Sequence, residues 1–308
     1  MKKLFVALLL IIAFATVAIY IFIPSKITVS GGRTIASTSN GFDSCLHDPK
    51  YWSNWWPGPH PPFVYNNYNY QMSTPFSDGG IIQVKENKNS YAVRIRTIPW
   101  NRDSIIAQWE TVVPAGNNPF TRISRYFAAG KLKDNIQPVF DSLCNFAGKT
   151  ENIYGWPIKR TTFTEIILVA TRFTSPGPPS TDLVYQAIDK LRQYISINFA
   201  IEKYYPMMNT RQIDSSLYET MVAISIDKII PAGGNIFISR MVPMENRFLE
   251  TTVNGGPLSI EDAHAAVERY MLDHSLSSPA RPFDILITDR SKEPDTSKWV
   301  TRIFYPSM

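Results

Sequence analysis

One stretch decides the fold of this chain: Ile260-Glu261-Asp262-Ala263-His264-Ala265-Ala266-Val267-Glu268-Arg269-Tyr270-Met271. An earlier stretch, 76 residues before it (184 to 260), repeats its pattern: Val184-Tyr185-Gln186-Ala187-Ile188-Asp189-Lys190-Leu191-Arg192-Gln193-Tyr194-Ile195. Five aligned pairs are alike in character: Val184 with Ile260, Ala187 with Ala263, Leu191 with Val267, Tyr194 with Tyr270 and Ile195 with Met271. Because these positions recur at helical spacing, both stretches are predicted to be amphipathic helices with one buried stripe each.

The repeat continues past the helices, where Tyr205-Pro206-Met207-Met208 falls on Arg281-Pro282-Phe283-Asp284. Alternating apolar runs predict strands around each helix. In the first copy they are 164–173, 207–211 and 218–226, and in the second they are 236–242, 248–253, 282–288 and 299–305. Two copies of a strand-helix-strand-strand unit indicate a duplicated domain and not a solenoid. We expect one curved sheet with both helices on one face and an open concave face opposite.

The N-terminus carries an apolar run from Leu4 to Ile23, preceded by Lys2 and Lys3. As a helix it is long enough to cross a hydrocarbon core of ~30 Å. The positive-inside rule would keep the lysines in the cytoplasm and place the rest of the chain outside it. A cleaved signal peptide is the alternative, since Ala13-Phe14-Ala15 offers small residues, but the apolar run continues well beyond it. We therefore predict a membrane anchor over residues 1–25.

The next region predicts a strand over 27–35 and a helix opening at Ser39-Asn40, then antiparallel strands over 63–73, 81–86, 91–98 and 105–113. A helical stripe over 131–146 follows. The segment Asp48-Pro49-Lys50-Tyr51-Trp52-Ser53-Asn54-Trp55-Trp56-Pro57 resembles the Asp-x-x-x-Trp-x-x-Trp signature of START-like, polyketide-cyclase-like helix-grip domains. The resemblance implies an apolar cavity for a lipid or other hydrophobic molecule between the sheet and the last helix.

Within this first domain, we expect Trp52, Trp55 and Trp56 to pack in the core rather than to contact a ligand. The pattern breaks over 148–157, which ends in Tyr154-Gly155-Trp156-Pro157. This break predicts a helix-grip domain over 26–150 and a second domain over 160–308.

The second domain resembles the GyrI-like effector-binding domain. The residues that carry the resemblance are Val242-Pro243 with Phe248, Gly256-Pro257 before the second helix, Pro282-Phe283-Asp284, and Trp299-Val300-Thr301-Arg302-Ile303 with Pro306. In that family an acidic residue at the bottom of an aromatic pocket meets cationic or lipophilic ligands. Asp284 matches the acid.

The predicted ligand-binding residues are Asp284, Phe248, Met208, Leu286 and Trp299. Leu286 and Phe248 stand where the family commonly has tyrosine, which favours a more apolar ligand. Strand alternation puts Phe283, Ile285 and Ile287 on one face, which we expect to pack on the helices, and leaves Asp284 on the concave face. The alternative is a surface carboxylate that pairs with Arg281 or Arg302.

Composition limits the other functional classes. The net charge is +5, but Lys and Arg are scattered among acids, so we expect no nucleic-acid partner. Two cysteines, Cys45 and Cys144, are too few for a disulfide framework and favour buried thiols. A single disulfide between them is the alternative. The four histidines show no metal-ligand spacing, and no phosphate-binding or dinucleotide motif predicts a cofactor.

These features predict an α+β protein with an N-terminal transmembrane helix, a helix-grip antiparallel sheet domain and a duplicated βαββ domain. The predicted function is a membrane-anchored, extracytoplasmic module that senses or sequesters a hydrophobic or amphipathic compound. The alternative is a hydrolase for a lipophilic small molecule with Asp284 as acid or base. A weaker alternative is a structural partner of another envelope protein.

Overall fold

The computed structural model describes residues 2–242 and 245–308, and the chain divides into two compact units, Met1–Ile153 and Tyr154–Met308. Pro243, which contributes to the resemblance above, lies outside the described residues. The first unit begins with helix α1 (Lys2–Phe22), and its stretch Lys3–Phe22 is long and apolar enough to cross a membrane.

Six antiparallel strands form the sheet of the first unit, in the order β1-β6-β5-β4-β3-β2. They are β1 (Lys26–Ile35), β2 (Val64–Tyr65), β3 (Tyr68–Phe76), β4 (Gly79–Glu86), β5 (Asn89–Asn101) and β6 (Ser104–Pro114). Helices α2 (Ser39–His47) and α3 (Pro49–Trp55) follow β1, and the long helix α4 (Pro119–Ala147) follows β6. The predicted order of strand, helix, strands and long helix is confirmed. The prediction that α4 starts near residue 131 is wrong, because Asn118 caps a helix that starts at Pro119.

An aromatic cluster fills the space that α3 shares with α4 and the sheet. Trp52, Trp55 and Trp56 are buried, and Trp56 packs edge-on against Tyr70 of β3 at 5.1 Å between ring centroids. The indole N–H groups of the three tryptophans donate to backbone carbonyls, as buried indoles require. The prediction that these tryptophans pack in the core is confirmed. Cys45 and Cys144 are both buried cysteines that are not joined in a disulfide.

Helix α1 ends against the beginning of α4. Arg122 of α4 is buried and donates from Nη1 to the carbonyl of Ile23 at 3.0 Å. Its guanidinium lies 4.4 Å from the ring centroid of Tyr20, and the Tyr20 hydroxyl donates to the carbonyl of Asn117. A cation at the carbonyl end of a helix is electrostatically favourable, so these contacts fix the end of α1 to the first unit.

The second unit contains one eight-stranded antiparallel sheet, in the order β11-β8-β10-β9-β13-β14-β12-β7. Its strands are β7 (Lys159–Thr161), β8 (Ile167–Pro176), β9 (Met207–Gln212), β10 (Leu217–Ser225), β11 (Ile236–Arg240), β12 (Phe248–Asn254), β13 (Phe283–Leu286) and β14 (Val300–Pro306). Helix α5 (Thr150–Tyr154) precedes them, and α6 (Thr181–Ile197) and α7 (Pro257–Asp273) are the two repeat helices.

The duplication is visible in this strand order. The first copy contributes β8, α6, β9 and β10, the second contributes β12, α7, β13 and β14, and the copies meet where β9 pairs with β13. Helices α6 and α7 both have 17 residues and keep the predicted separation of 76 (181 to 257). The predicted α+β fold class with a duplicated βαββ domain is confirmed. The prediction that 236–242 opens the second copy is wrong, because β11 pairs with β8 at the edge of the first copy.

Candidate functional site

A cleft of about 500 Å³ opens between the two repeat helices, over the central strands β9 and β13. We call it the interhelical cleft. It is lined by Pro178, Pro179, Thr181, Val184, Tyr185, Met208, Asn209, Thr210, Pro257, Ile260, Glu261, His264, Glu268, Pro282, Phe283, Asp284, Arg290, Trp299 and Tyr305. The mixture of an apolar wall with a few convergent polar groups is typical of small-molecule sites.

A chain of hydrogen bonds crosses the α7 side of the cleft. Asp284 Oδ1 of β13 lies 3.0 Å from His264 Nε2 of α7, and His264 Nδ1 lies 2.8 Å from the hydroxyl oxygen of Tyr305 on β14. The Tyr305 hydroxyl also donates to Glu268 Oε1 at 3.2 Å. The side chains of Asp284 and His264 keep 14% and 27% of their exposure, so the pair is sheltered but open to the cleft.

The acids of the cleft change the protonation of this chain. Burial opposes the imidazolium, but the hydrogen bond and charge of Asp284, together with the charge of Glu268, outweigh it and raise the pKa of His264 above its ordinary value. Burial, reinforced by the charge and hydrogen bond of Glu268, raises the pKa of the Tyr305 hydroxyl. Tyr305 is therefore a hydrogen-bond donor at neutral pH and not a phenolate nucleophile.

The loop between β13 and β14 supplies the opposite wall. The guanidinium of Arg290 lies 4.7 Å from the ring centroid of Trp299 and donates from Nη2 to Thr301 Oγ1 at 2.7 Å. The Trp299 indole donates to the carbonyl of Glu293 at 2.9 Å, which fixes the ring. Burial lowers the pKa of Arg290, and the charge of Asp284 opposes this shift. The arrangement gives the cleft one rigid aromatic wall.

A second cavity, of about 460 Å³, lies on the other side of the sheet, and we call it the methionine groove. Its lining is dominated by five methionines and two phenylalanines, with two arginines among the polar groups. The complete lining is Leu168, Met207, Met208, Asn209, Met221, Ala223, Ser239, Arg240, Met241, Val242, Phe248, Pro279, Ala280, Arg281, Phe283, Pro306 and Met308. Methionine side chains are flexible and polarisable, and therefore adapt to apolar ligands of varied shape.

The structure divides the predicted binding residues between the two cavities. Asp284 and Trp299 line the interhelical cleft, Phe248 lines the methionine groove, and Met208 lines both. Leu286 lines neither cavity. It is 2% exposed and belongs to the core that packs on α6.

The predicted orientation of β13 is wrong. Asp284 contacts His264 of α7, and Leu286, two residues on, packs under α6, so this face of the strand points toward the helices. Phe283 and Ile285 instead pack with Phe248 in a separate cluster on the opposite face. The physical reason is that β13 is buried on both faces, and strand alternation cannot then identify which face the helices cover.

The alternative pairing of Asp284 with a surface arginine is also wrong. Arg281 pairs with Glu219 at 3.2 Å, and Arg302 pairs with Glu250 at 2.7 Å. Within residues 2–242 and 245–308, no group of three or more His, Cys, Asp or Glu side chains is positioned to hold a metal ion.

Sequence reasoning missed His264, Tyr305, Glu268 and Arg290 as site residues. His264 is one of the four histidines whose positions in the sequence show no metal-ligand spacing. A comparison of the two copies would have identified His264. The residue 76 positions earlier is Ile188, which lies on α6 and is fully buried in the core between α6 and the sheet. A position that is apolar in one copy and titratable in the other indicates a core residue in the first copy and a candidate site residue in the second.

No family model matches the chain, and no curated protein matches it. Among solved structures the chain is similar to the C-terminal domain of EcmrR, at 14% identity over 50% of this chain and 98% of that chain, with a TM-score of 0.40. It is similar to a START superfamily protein from Mycobacterium smegmatis, at 11% identity over 38% and 97% of the two chains, with a TM-score of 0.26. The Zhui aromatase/cyclase from Streptomyces sp. R1128 matches at 7% identity over 40% and 93%, also with a TM-score of 0.26. At these identities the likeness concerns the fold.

Proposed function

We propose that this chain is a membrane-anchored protein that binds an amphipathic, cationic small molecule in the interhelical cleft of its second unit. The observation that supports the proposal is the position of Asp284, a sheltered carboxylate at the base of a cleft with apolar and aromatic walls. Such a pocket holds a lipophilic body by burial and orients it by one charged contact.

The charges of the cleft favour a cation. Its lining includes the carboxylates of Glu261, Glu268 and Asp284, against the single guanidinium of Arg290 and the titratable His264. When His264 is neutral, the acids exceed the cations by two, and when it is protonated they exceed them by one. The face of Trp299 adds a further site for a cation, although Arg290 already occupies one side of that ring.

Two measurements test this proposal. Native mass spectrometry of the protein purified from its own host should detect a co-purifying amphipathic molecule. Binding of rhodamine 123, a fluorescent lipophilic cation, should be measurable by fluorescence anisotropy and should weaken when Asp284 is changed to Asn. A protein that binds neither a co-purifying compound nor rhodamine 123 would contradict small-molecule binding and would favour the structural-partner alternative.

The location of the protein is part of the proposal. We infer that α1 spans the membrane with Lys2 and Lys3 in the cytoplasm, so that both compact units lie on the opposite side. The contacts of Arg122 with Ile23 and Tyr20 hold the end of α1 on the first unit, and a leader cleaved after Ala15 would keep both residues. Sequencing the N-terminus of the mature protein distinguishes an anchor from a signal peptide.

A second candidate function is hydrolysis of a lipophilic small molecule, and the hydrogen-bond chain of Asp284, His264 and Tyr305 favours it. Neutral His264, with its Nε2–H donated to Asp284, could accept at Nδ1 the proton of the Tyr305 hydroxyl once that hydroxyl turns from Glu268, while Tyr305 takes a proton from an attacking water. The two candidates differ in outcome. A binding protein returns rhodamine 123, which is a methyl ester, unchanged, whereas a hydrolase adds water and releases the free acid and methanol at a rate that His264→Gln abolishes.

A further inference from the structure

The two cavities of the second unit meet at a gap in the sheet. In the described part of the chain, the ladder between β9 and β13 contains two residue pairs, Met208 with Asp284 and Met207 with Ile285. The next pair in register would be Asn209 with Phe283, and the strands have already separated there. Sheet hydrogen bonding therefore stops at the centre of the sheet, at the junction of the two copies.

The residues at this gap line both cavities. Met208, Asn209 and Phe283 are common to the interhelical cleft and the methionine groove, which otherwise lie on opposite faces of the sheet. The Asn209 side-chain oxygen Oδ1 is buried and has no hydrogen-bond partner among the described residues. A buried carbonyl oxygen without a partner is unfavourable, and Asn209, next to the pair of Met208 with Asp284, is suited to accept the cationic head of a ligand at the cleft side of the gap.

We propose that the two cavities form one binding site for a single-chain amphiphile that passes through the gap. Its cationic head would lie in the interhelical cleft near Asp284, and its alkyl chain would pass Asn209 and end in the methionine groove. This inference rests on the proposed function and extends it to a substrate class, long-chain alkyl cations. The division of polarity supports this orientation, because carboxylates line the cleft while methionines and phenylalanines line the groove.

The arginines of the groove do not reverse this polarity. Arg281 pairs with Glu219, which also accepts from Arg211 at 2.9 Å. Arg240 lines the groove but is exposed, so solvent screens its charge.

The experiment uses the full-length protein in detergent-free nanodiscs and a series of alkyltrimethylammonium ions from tetramethyl to dodecyl, each below its micelle-forming concentration. Displacement of rhodamine 123 gives the affinities. We expect affinity to rise by about fourfold per added methylene, the factor that corresponds to ~0.8 kcal/mol for a buried CH₂, until the groove is full. Met221→Trp and Met241→Trp, which fill a partly buried groove, should flatten this rise and leave the shortest ion unaffected. Ile229→Trp, at an exposed position outside both cavities, is the matched control.

The outcomes separate this inference from the proposed function. If rhodamine 123 binds but affinity is independent of chain length, the continuous site is contradicted and the cleft stands alone. If neither rhodamine 123 nor any ion of the series binds, the proposed function fails as well. If dodecyl sulfate binds more tightly than dodecyltrimethylammonium and Arg240→Ala abolishes that difference, the head lies in the groove and the orientation is overturned.

Discussion

Replacing Asp284 by Asn tests whether the charge at the base of the interhelical cleft selects the ligand. A cation about 4 Å from the carboxylate gains ~4 kcal/mol at an effective dielectric constant of ~20. His264 lies 3.0 Å beyond the carboxylate, so its imidazolium, about 6.5 Å from the same cation, opposes binding by ~2.5 kcal/mol. The difference is ~1.5 kcal/mol. Asp284→Asn also removes the hydrogen bond and charge that raise the pKa of His264, so burial leaves the imidazole neutral in the variant. At a pH where His264 of the parent is charged, the variant should therefore bind rhodamine 123 about tenfold more weakly.

The fold of the variant should be nearly intact, because the amide oxygen of Asn can still accept a hydrogen bond from His264. Fluorescence anisotropy titrations with rhodamine 123 measure the affinity, and a thermal melt checks the fold. Glu202→Gln is the matched control, since it removes a carboxylate of the same unit that pairs with Arg192 and lines neither cavity. An Asp284→Asn affinity within twofold of the parent, or an equal loss in the control, would refute the electrostatic argument.

Four further predictions follow from charge and topology. Because protonated His264 opposes a bound cation by the ~2.5 kcal/mol given above, affinity for rhodamine 123 should increase by up to about 70-fold as pH rises through the elevated pKa of His264. His264→Gln, but not His274→Gln, should remove this dependence in anisotropy titrations. Burial raises the pKa of Asp43 from 3.8 to about 6, so its contribution to stability is present below pH 3.8 and is lost as pH rises through about 6. That shift corresponds to ~3 kcal/mol, and solvent at this partly exposed group reduces it to ~1–2 kcal/mol. Asp43→Asn should therefore raise the melting temperature at pH 7 and not at pH 4, whereas equal melting temperatures at pH 7 would contradict the assignment. A reporter fused after Met308 should be active only outside the cytoplasm, as the proposed orientation of α1 requires. Limited proteolysis should cut between residues 148 and 159 and release two folded fragments, as the proposed domain limits of 26–150 and 160–308 require.

Most of the fold could be predicted because its signals are local. The strands of both sheets follow apolar alternation, and the turn between β4 and β5 falls at Asn87, whose φ of 53° suits asparagine. Helix α4 was predicted too short because exposed Phe120 and Phe127 interrupt the amphipathic pattern of its first turns. The cap at Asn118 and the proline that follows it were the better signal for its start.

The site could be predicted only in part, because it depends on contacts between segments distant in sequence. Asp284 was identified through the family resemblance, and its partner His264 comes from a helix that shows no local sign of function. The orientation of β13 was not accessible, since Phe283 and Ile285 on one face are as deeply buried as Leu286 on the other. The contribution of Arg290 depends on the loop after β13, which has no counterpart of equal length in the first copy.

The two copies explain why the site is on one side of the junction. At the repeat separation of 76 residues, the counterparts of His264 and Asp284 are Ile188 and Met208. The counterpart of Tyr305 follows from the strand pairing, because Met208 pairs with Val222 as Asp284 pairs with Ile303. Two residues further along each strand, Ile224 corresponds to Tyr305. Ile188 and Ile224 are fully buried in a common core. The first copy thus keeps an apolar core where the second has a polar hydrogen-bond chain. A buried polar group is destabilising unless it is paired, so the hydrogen-bond chain makes the core of the second copy less stable than an apolar core but leaves polar groups accessible to a ligand. The first copy supplies the rigid apolar wall against which that ligand would be held.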